Sequence, residues 1–304
     1  MPSAAKLSDW YDSSMTRTRA LDSFSAAERL NFLLTNRIPR RTMTILFGWF
    51  SKLEQPWIRD VTLGLWKYFS DLDLSEANTD RFHSVHDCFT RALKPNARPI
   101  ENHAGIVTSP CDAIVGACGS LEGITAIQAK GFPYSLQDLL HEPELVELYR
   151  GGVFVTLRLT ASMYHRFHAP YDCHVRRVTY IAGDTWNVNP VALRCVENLF
   201  CKNERLVIPC ALSNRSITLT LVPVAAILVA SVRLHFADVL FNLRYRGPNV
   251  IRCAVEIAKG DEMGWFEHGS TIIVFAPAGV ELHESIKSGM KIRTGRALLR
   301  LPTL

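Results

Sequence analysis

At 304 residues with 48% hydrophobic side chains, the chain is long enough for one large domain or two small ones, and too apolar to stay disordered. Its 34 Lys and Arg against 29 Asp and Glu leave a net charge of +5, too mild for a dedicated nucleic-acid binder and compatible with an anionic membrane surface. The eight cysteines fall in no CxxC or paired zinc spacing and read as reduced thiols of a cytoplasmic protein.

The opening MPSAAKLSDWYDSS has no apolar segment behind a basic start, so nothing in it reads as a secretion signal. In RRTMTILFGWFSKL, Met43, Leu46, Trp49, Phe50 and Leu53 recur at helical spacing. In PWIRDVTLGLWKYF, Trp57, Val61, Leu65 and Phe69 do the same behind Pro56 at the first helical position. The basic cluster Arg37, Arg40 and Arg41 followed by aromatics suits a helix lying on a membrane, with Trp49 and Phe50 at the acyl boundary. An ordinary helix packed on a core has the same pattern, and both readings stay open at this stage.

From about Ile106 the texture changes to short β-branched runs broken by Gly, Pro, Asn and Asp, with one helical stretch predicted over Ser135 to Tyr149. The sixteen-residue run ITLTLVPVAAILVASV, Ile217 to Val232, holds Pro223 and reads as buried strands, being short of the roughly twenty residues of a membrane span. The expected fold is α+β: a helical N-terminal region over 1–100 that docks on the membrane, set on a mainly antiparallel β-rich catalytic core over 101–304.

Three clusters hold the residues able to do chemistry. In SPCDAIVG, Asp112 reads by itself as a turn aspartate satisfying its own backbone. In YHRFHAPYD, His165 and His168 stand among Tyr164, Arg166 and Phe167, a density of titratable groups that fits either a structural role or proton transfer near neutral pH. Without a third ligand they do not make a metal site, and none is expected. In KGDEMGWFEHGSTIIVFAP a glycine and a serine precede an apolar run; Ser270 becomes a nucleophile if a base lies near, and spacing does not show that it does.

Taken in order, SPCD, IQAKGFPYSLQDLL, YHRFHAP, NLFCKNERLV and KGDEMGWFEHGST resemble the pyruvoyl-dependent phosphatidylserine decarboxylases of the prokaryotic type, colinearly from about residue 30 to the C-terminus. The resemblance implies self-cleavage between Gly269 and Ser270. Ser270 Oγ attacks the Gly269 carbonyl, the resulting ester is lost by β-elimination, and the dehydroalanine left at 270 loses ammonia to become a covalent pyruvoyl group, the cofactor. It further implies that His168 activates Ser270 with Asp112 orienting it, and that the pyruvoyl carbonyl forms a Schiff base with the serine amine of phosphatidylserine. His165 is then the candidate proton donor, and the product is phosphatidylethanolamine. Gly269 suits a close-approach turn that a Cβ would obstruct.

The implied partners are phosphatidylserine in an anionic membrane and the two products of one precursor, chains 1–269 and 270–304, held as a non-covalent heterodimer. Apolar faces on the N-terminal helices suit a pairing of two such heterodimers; the expected location is peripheral, on the cytoplasmic face of the cell membrane. Some members carry an aspartate before the Tyr-His pair where this chain has Met163. A pyruvoyl decarboxylase of a free amino acid, a serine hydrolase using the same three residues, and a non-catalytic lipid-binding relative are the competing readings.

Overall fold

A computed structural model describes residues 25–303 apart from 27, 29, 31, 34–38, 130–131, 228–230 and 268–269, and gives the backbone alone at 129, 238 and 270. Arg37 and Gly269 therefore lie outside the described residues. The strands are β1 (Ile106–Thr108), β2 (Ala113–Ser120), β3 (Thr125–Ala129), β4 (Phe132–Ser135), β5 (Val153–Arg158), β6 (Arg166–His168) and β7 (Cys173–Ile181). They continue with β8 (Arg205–Leu212), β9 (Thr218–Ala225), β10 (Ser231–Leu234), β11 (Ala237–Asn242) and β12 (Val250–Ile257). Last come β13 (Glu262–Phe266), β14 (Ser270–Ala276), β15 (Glu281–Leu282), β16 (Lys291–Ile292) and β17 (Ala297–Arg300).

Eight of these form one antiparallel sheet in the order β12-β7-β8-β9-β14-β5-β2-β16, and four form a second in the order β11-β10-β13-β6. The smaller sheet covers one face of the larger, where Ile272 and Val274 of β14 meet Phe167, Phe266, Val232 and Phe241. On the other face Ile273 and Phe275 pack with Leu136, Leu139, Leu140, Leu145, Ala192, Leu199 and Phe200 of four short helices. Because residues 271–276 of β14 are buried on both faces, IIVFA reads as an unbroken apolar run and not as an alternation. The expected α+β class with an antiparallel core is what the chain adopts.

The run Ile217 to Val232 divides into β9 and the start of β10, as its β-branched composition predicts. The helix expected over Ser135 to Tyr149 is two, Leu136–Leu140 and Pro143–Leu148. His141 caps the first in the left-handed region at φ 56°, and Pro143, which has no amide hydrogen to donate, opens the second.

The N-terminal helices are Arg40–Phe50 and Pro56–Phe69, followed by the short helix Val85–Phe89, with turns and loops over 70–84 and 90–105. On the first helix Met43, Leu46 and Trp49 face solvent and the one buried residue is Thr44, so the apolar stripe does not turn to the core. Arg40 is held by an ion pair to Asp184 and lies 3.8 Å over the Trp186 ring, which anchors the helix to the β core.

Phe275 is fully buried at the centre of the large sheet, 5.9 Å from the Tyr149 ring centre. Phe275→Ala is expected to lower the free energy of unfolding by about 3–5 kcal/mol, read from the urea midpoint. A loss below about 1 kcal/mol would contradict this packing.

Candidate functional site

The chain leaves the small sheet at Phe266, paired with Val232, and enters the large one at Ser270, whose backbone pairs with Ala225 of β9. The next residue, Thr271, is flanked by Val224 on one side and Arg158 on the other. Only 267–269 remain to pass between the two sheets, layers that pack about 10 Å apart. Glu267 fixes the near side of this step. Its carboxylate is buried, 3.1 Å from Lys52 Nζ and 3.6 Å from His86 Nε2. Burial opposes its ionisation, but the neighbouring His86 ring and the Lys52 ammonium, which donates to it, outweigh that and hold its pKa at about 2.

His168 ends β6, and its amide donates to Pro110 O at 2.7 Å, beside the segment that carries Asp112. Its ring is fixed at both nitrogens. Nδ1 lies 2.8 Å from Gly260 O, and since a carbonyl only accepts, Nδ1 holds the proton. Nε2 is then the basic nitrogen and accepts from the Tyr164 hydroxyl at 3.0 Å. Burial pushes the His168 pKa below its ordinary value, only partly countered by the Gly260 bond, so the ring is neutral at pH 7. Burial likewise raises the Tyr164 phenol, which stays a donor.

Asp112 does not bond to His168. Its Oδ1 accepts from the Thr294 amide at 2.9 Å and the Thr294 hydroxyl at 3.0 Å, and Arg98 grips both oxygens, with Nη2 2.6 Å from Oδ2. The same guanidinium lies 5.8 Å from the centre of the Tyr164 ring. The link from Asp112 to His168 therefore runs through Arg98 and Tyr164 and through the backbone at Pro110. Arg98 stands in a loop, and no periodicity or motif marks it; Tyr164 was visible only as part of the titratable cluster.

His165 and His168, three apart, face opposite ways along an extended chain. His165 is fully buried, its Nδ1 donates to Met163 O at 2.8 Å, and its ring centre is 3.8 Å from that of Phe89. The Met163 main chain thus orients the His165 ring. Phe89 also lines a 560 Å³ cavity with Phe47, Leu65, Trp66 and Phe69 of the N-terminal helices. The core side of this cavity is 187–189 together with 158–161 and 226–227, the ends and continuations of the two strands that flank β14. It is largely apolar and reaches the end of the sheet at which β14 begins.

Residues 85–300 match the family model described as phosphatidylserine decarboxylase. The phosphatidylserine decarboxylase proenzyme of Haemophilus influenzae is 34% identical over 291 residues, 91% of this chain and 98% of that protein. The proenzyme of Saccharophagus degradans is 33% identical over 295 residues, covering 93% and 98%. That of Halorhodospira halophila is 34% identical over 286 residues, covering 91% and 96%.

The Glu267 carboxylate has a folded pKa of about 2 against an ordinary 4.5. A depressed carboxylate pKa contributes stability that is complete above the unfolded value and is lost as pH falls from 4.5 towards 2. Glu267→Gln is expected to be less stable at pH 7 and to lose part of the acid-dependent decline in that window, followed by denaturant unfolding across pH. An unchanged slope would show the Lys52 and His86 contacts to be idle.

Proposed function

Because the chain belongs to the phosphatidylserine decarboxylase family, we propose that it converts phosphatidylserine to phosphatidylethanolamine and carbon dioxide with a pyruvoyl group made from its own Ser270. The observation that carries this reading is His168, a buried, neutral imidazole whose proton is committed to Gly260 O and whose Nε2 is the base. In the proposed maturation Nε2 takes the Ser270 hydroxyl proton and Oγ attacks the Gly269 carbonyl carbon, breaking the Gly269–Ser270 amide and forming an ester. Loss of the Cα proton of residue 270 expels the Gly269 carboxylate and leaves dehydroalanine. One water then enters, ammonia leaves, and the pyruvoyl group remains.

The residues around position 270 fit such a group. The cut falls at the first residue of a strand hydrogen-bonded on both sides, so the new end of the small chain stays in register between β9 and β5. The buried side chains of Ile272 to Ala276 and the Asp112–Thr294 bonds hold chain 270–304 to chain 1–269 as a non-covalent heterodimer. The group supplies a carbonyl for the serine amine and a sink for the electrons of the breaking bond to the carboxylate. Asp112 acts at a distance, through Arg98, on the Tyr164 that holds His168. His165, behind Phe89 at the cavity wall, is assigned the proton that replaces carbon dioxide.

Exposed Trp49, Trp57, Val61, Leu65, Tyr68 and Phe69 form the docking surface for an anionic membrane, with the acyl chains led into the cavity below. Among the described residues no helix is long and apolar enough to cross a membrane, and the contact is peripheral. This surface favours a lipid over a free amino acid as substrate.

Intact-mass spectrometry is expected to give two species whose sum equals the precursor plus water minus ammonia, together with carbon dioxide release from phosphatidylserine vesicles. Ser270→Ala is expected to stay one chain of 304 residues and to release none. An active protein of a single unmodified mass points instead to a serine hydrolase. Release from free amino acids but not from vesicles points to the amino-acid decarboxylase.

A further inference from the structure

Arg158 ends β5, opposite Thr271 of β14 on one side and Ile114 of β2 on the other. It is partly buried, and among the described residues it makes no hydrogen bond or ion pair. Other arginines removed from solvent here have partners: Arg205 donates to four main-chain carbonyls, Arg98 to Asp112 and Glu76, and Arg91 to two carbonyls, its Nε alone being left over. A guanidinium that gives up water without a partner is costly unless something arrives to take its donors.

Two hydroxyls beside it have the same character. Thr156, two residues earlier on the same face of β5, is 2% exposed, and Thr271, across from Arg158, is fully buried. Neither Oγ1 has a hydrogen-bond partner among the described residues. All three side chains line one 700 Å³ cavity, and Gly116 opposite presents no side chain to fill it. Arg158 also belongs to the wall of the 560 Å³ apolar cavity under the N-terminal helices, and no carboxylate lines either space.

We propose that Arg158, with the Thr156 and Thr271 hydroxyls, is the subsite that binds the phosphodiester of the lipid substrate and so sets headgroup position. A planar cation beside two hydroxyl donors is matched to a phosphate, whose oxygens accept from several directions at once. The subsite stands one residue from Ser270 on the helix-covered face of β14, at the sheet end that the 560 Å³ cavity also reaches, and in phosphatidylserine the phosphorus and the reacting amine are four covalent bonds apart. The serine carboxylate is the poorer occupant, because an arginine holding that charge stabilises the ground state of a reaction that must discharge it. The phosphodiester keeps its charge throughout, so binding it is uniform and appears in KM.

This inference rests on the proposed decarboxylation at residue 270. The test compares wild type with Arg158→Met and Arg158→Lys, following maturation by mass and kcat and KM on phosphatidylserine in mixed micelles. Arg158→Met is expected to mature fully, with KM raised on the order of 10- to 100-fold and kcat within about 3-fold of wild type. Arg158→Lys is expected to fall between them. An unchanged KM in a matured Arg158→Met protein overturns the subsite, as does a loss confined to kcat. If Arg158→Met fails to mature, Thr156→Val, which keeps volume and charge, decides: a higher KM supports the subsite and an unchanged one overturns it. A wild type that releases no carbon dioxide from phosphatidylserine overturns the underlying reading and the subsite with it, whereas failure in the variants leaves that reading standing.

Discussion

The structure depends on β14 being held from four directions at once. Its backbone bonds to β9 and β5, and its side chains are buried against the small sheet on one face and the helices on the other. A strand so placed tolerates little displacement, since either a ladder or a packed face must open first. Everything assigned to residue 270 relies on this. The proposed reacting position needs no loop to hold it, because it is the first residue of a strand paired on both sides.

Around this fixed point the polar residues form an indirect arrangement. His168 is tuned by burial and by a main-chain carbonyl, not by a carboxylate at its side. The buried Asp112 charge is neutralised by Arg98 and anchored by Thr294. A direct aspartate contact on His168 would favour the protonated ring; placing the acid one guanidinium away leaves the imidazole neutral and its Nε2 basic.

Much of the fold was legible because the strands are β-branched runs and the N-terminal helices have clear 3.6-residue periodicity. Periodicity told where Met43, Leu46 and Trp49 align but not which way they face, because an apolar stripe for a core and one for a membrane are the same stripe. The break of the predicted helix over Ser135 to Tyr149 was available in the sequence, since Pro143 stands eight residues into it. The site was legible only in part. Asp112, His165, His168 and Ser270 stood out through the family resemblance. Arg98, Lys52, His86 and Glu267 did not, because their roles come from tertiary neighbours far along the chain.

The anchoring of Glu267 has a further consequence once the chain is cut as proposed. The large chain then ends two residues beyond a side chain clamped by Lys52 and His86, so the Cα of its last residue is at most about 7.6 Å, two Cα steps, from the Glu267 Cα. The first product of the proposed maturation would thus be a permanent anion tethered near residue 270. In the proposed scheme the mature enzyme would work in an electrostatic field that its precursor did not have, and the lipid carboxylate would enter next to a charge of its own sign, favouring its departure as neutral carbon dioxide.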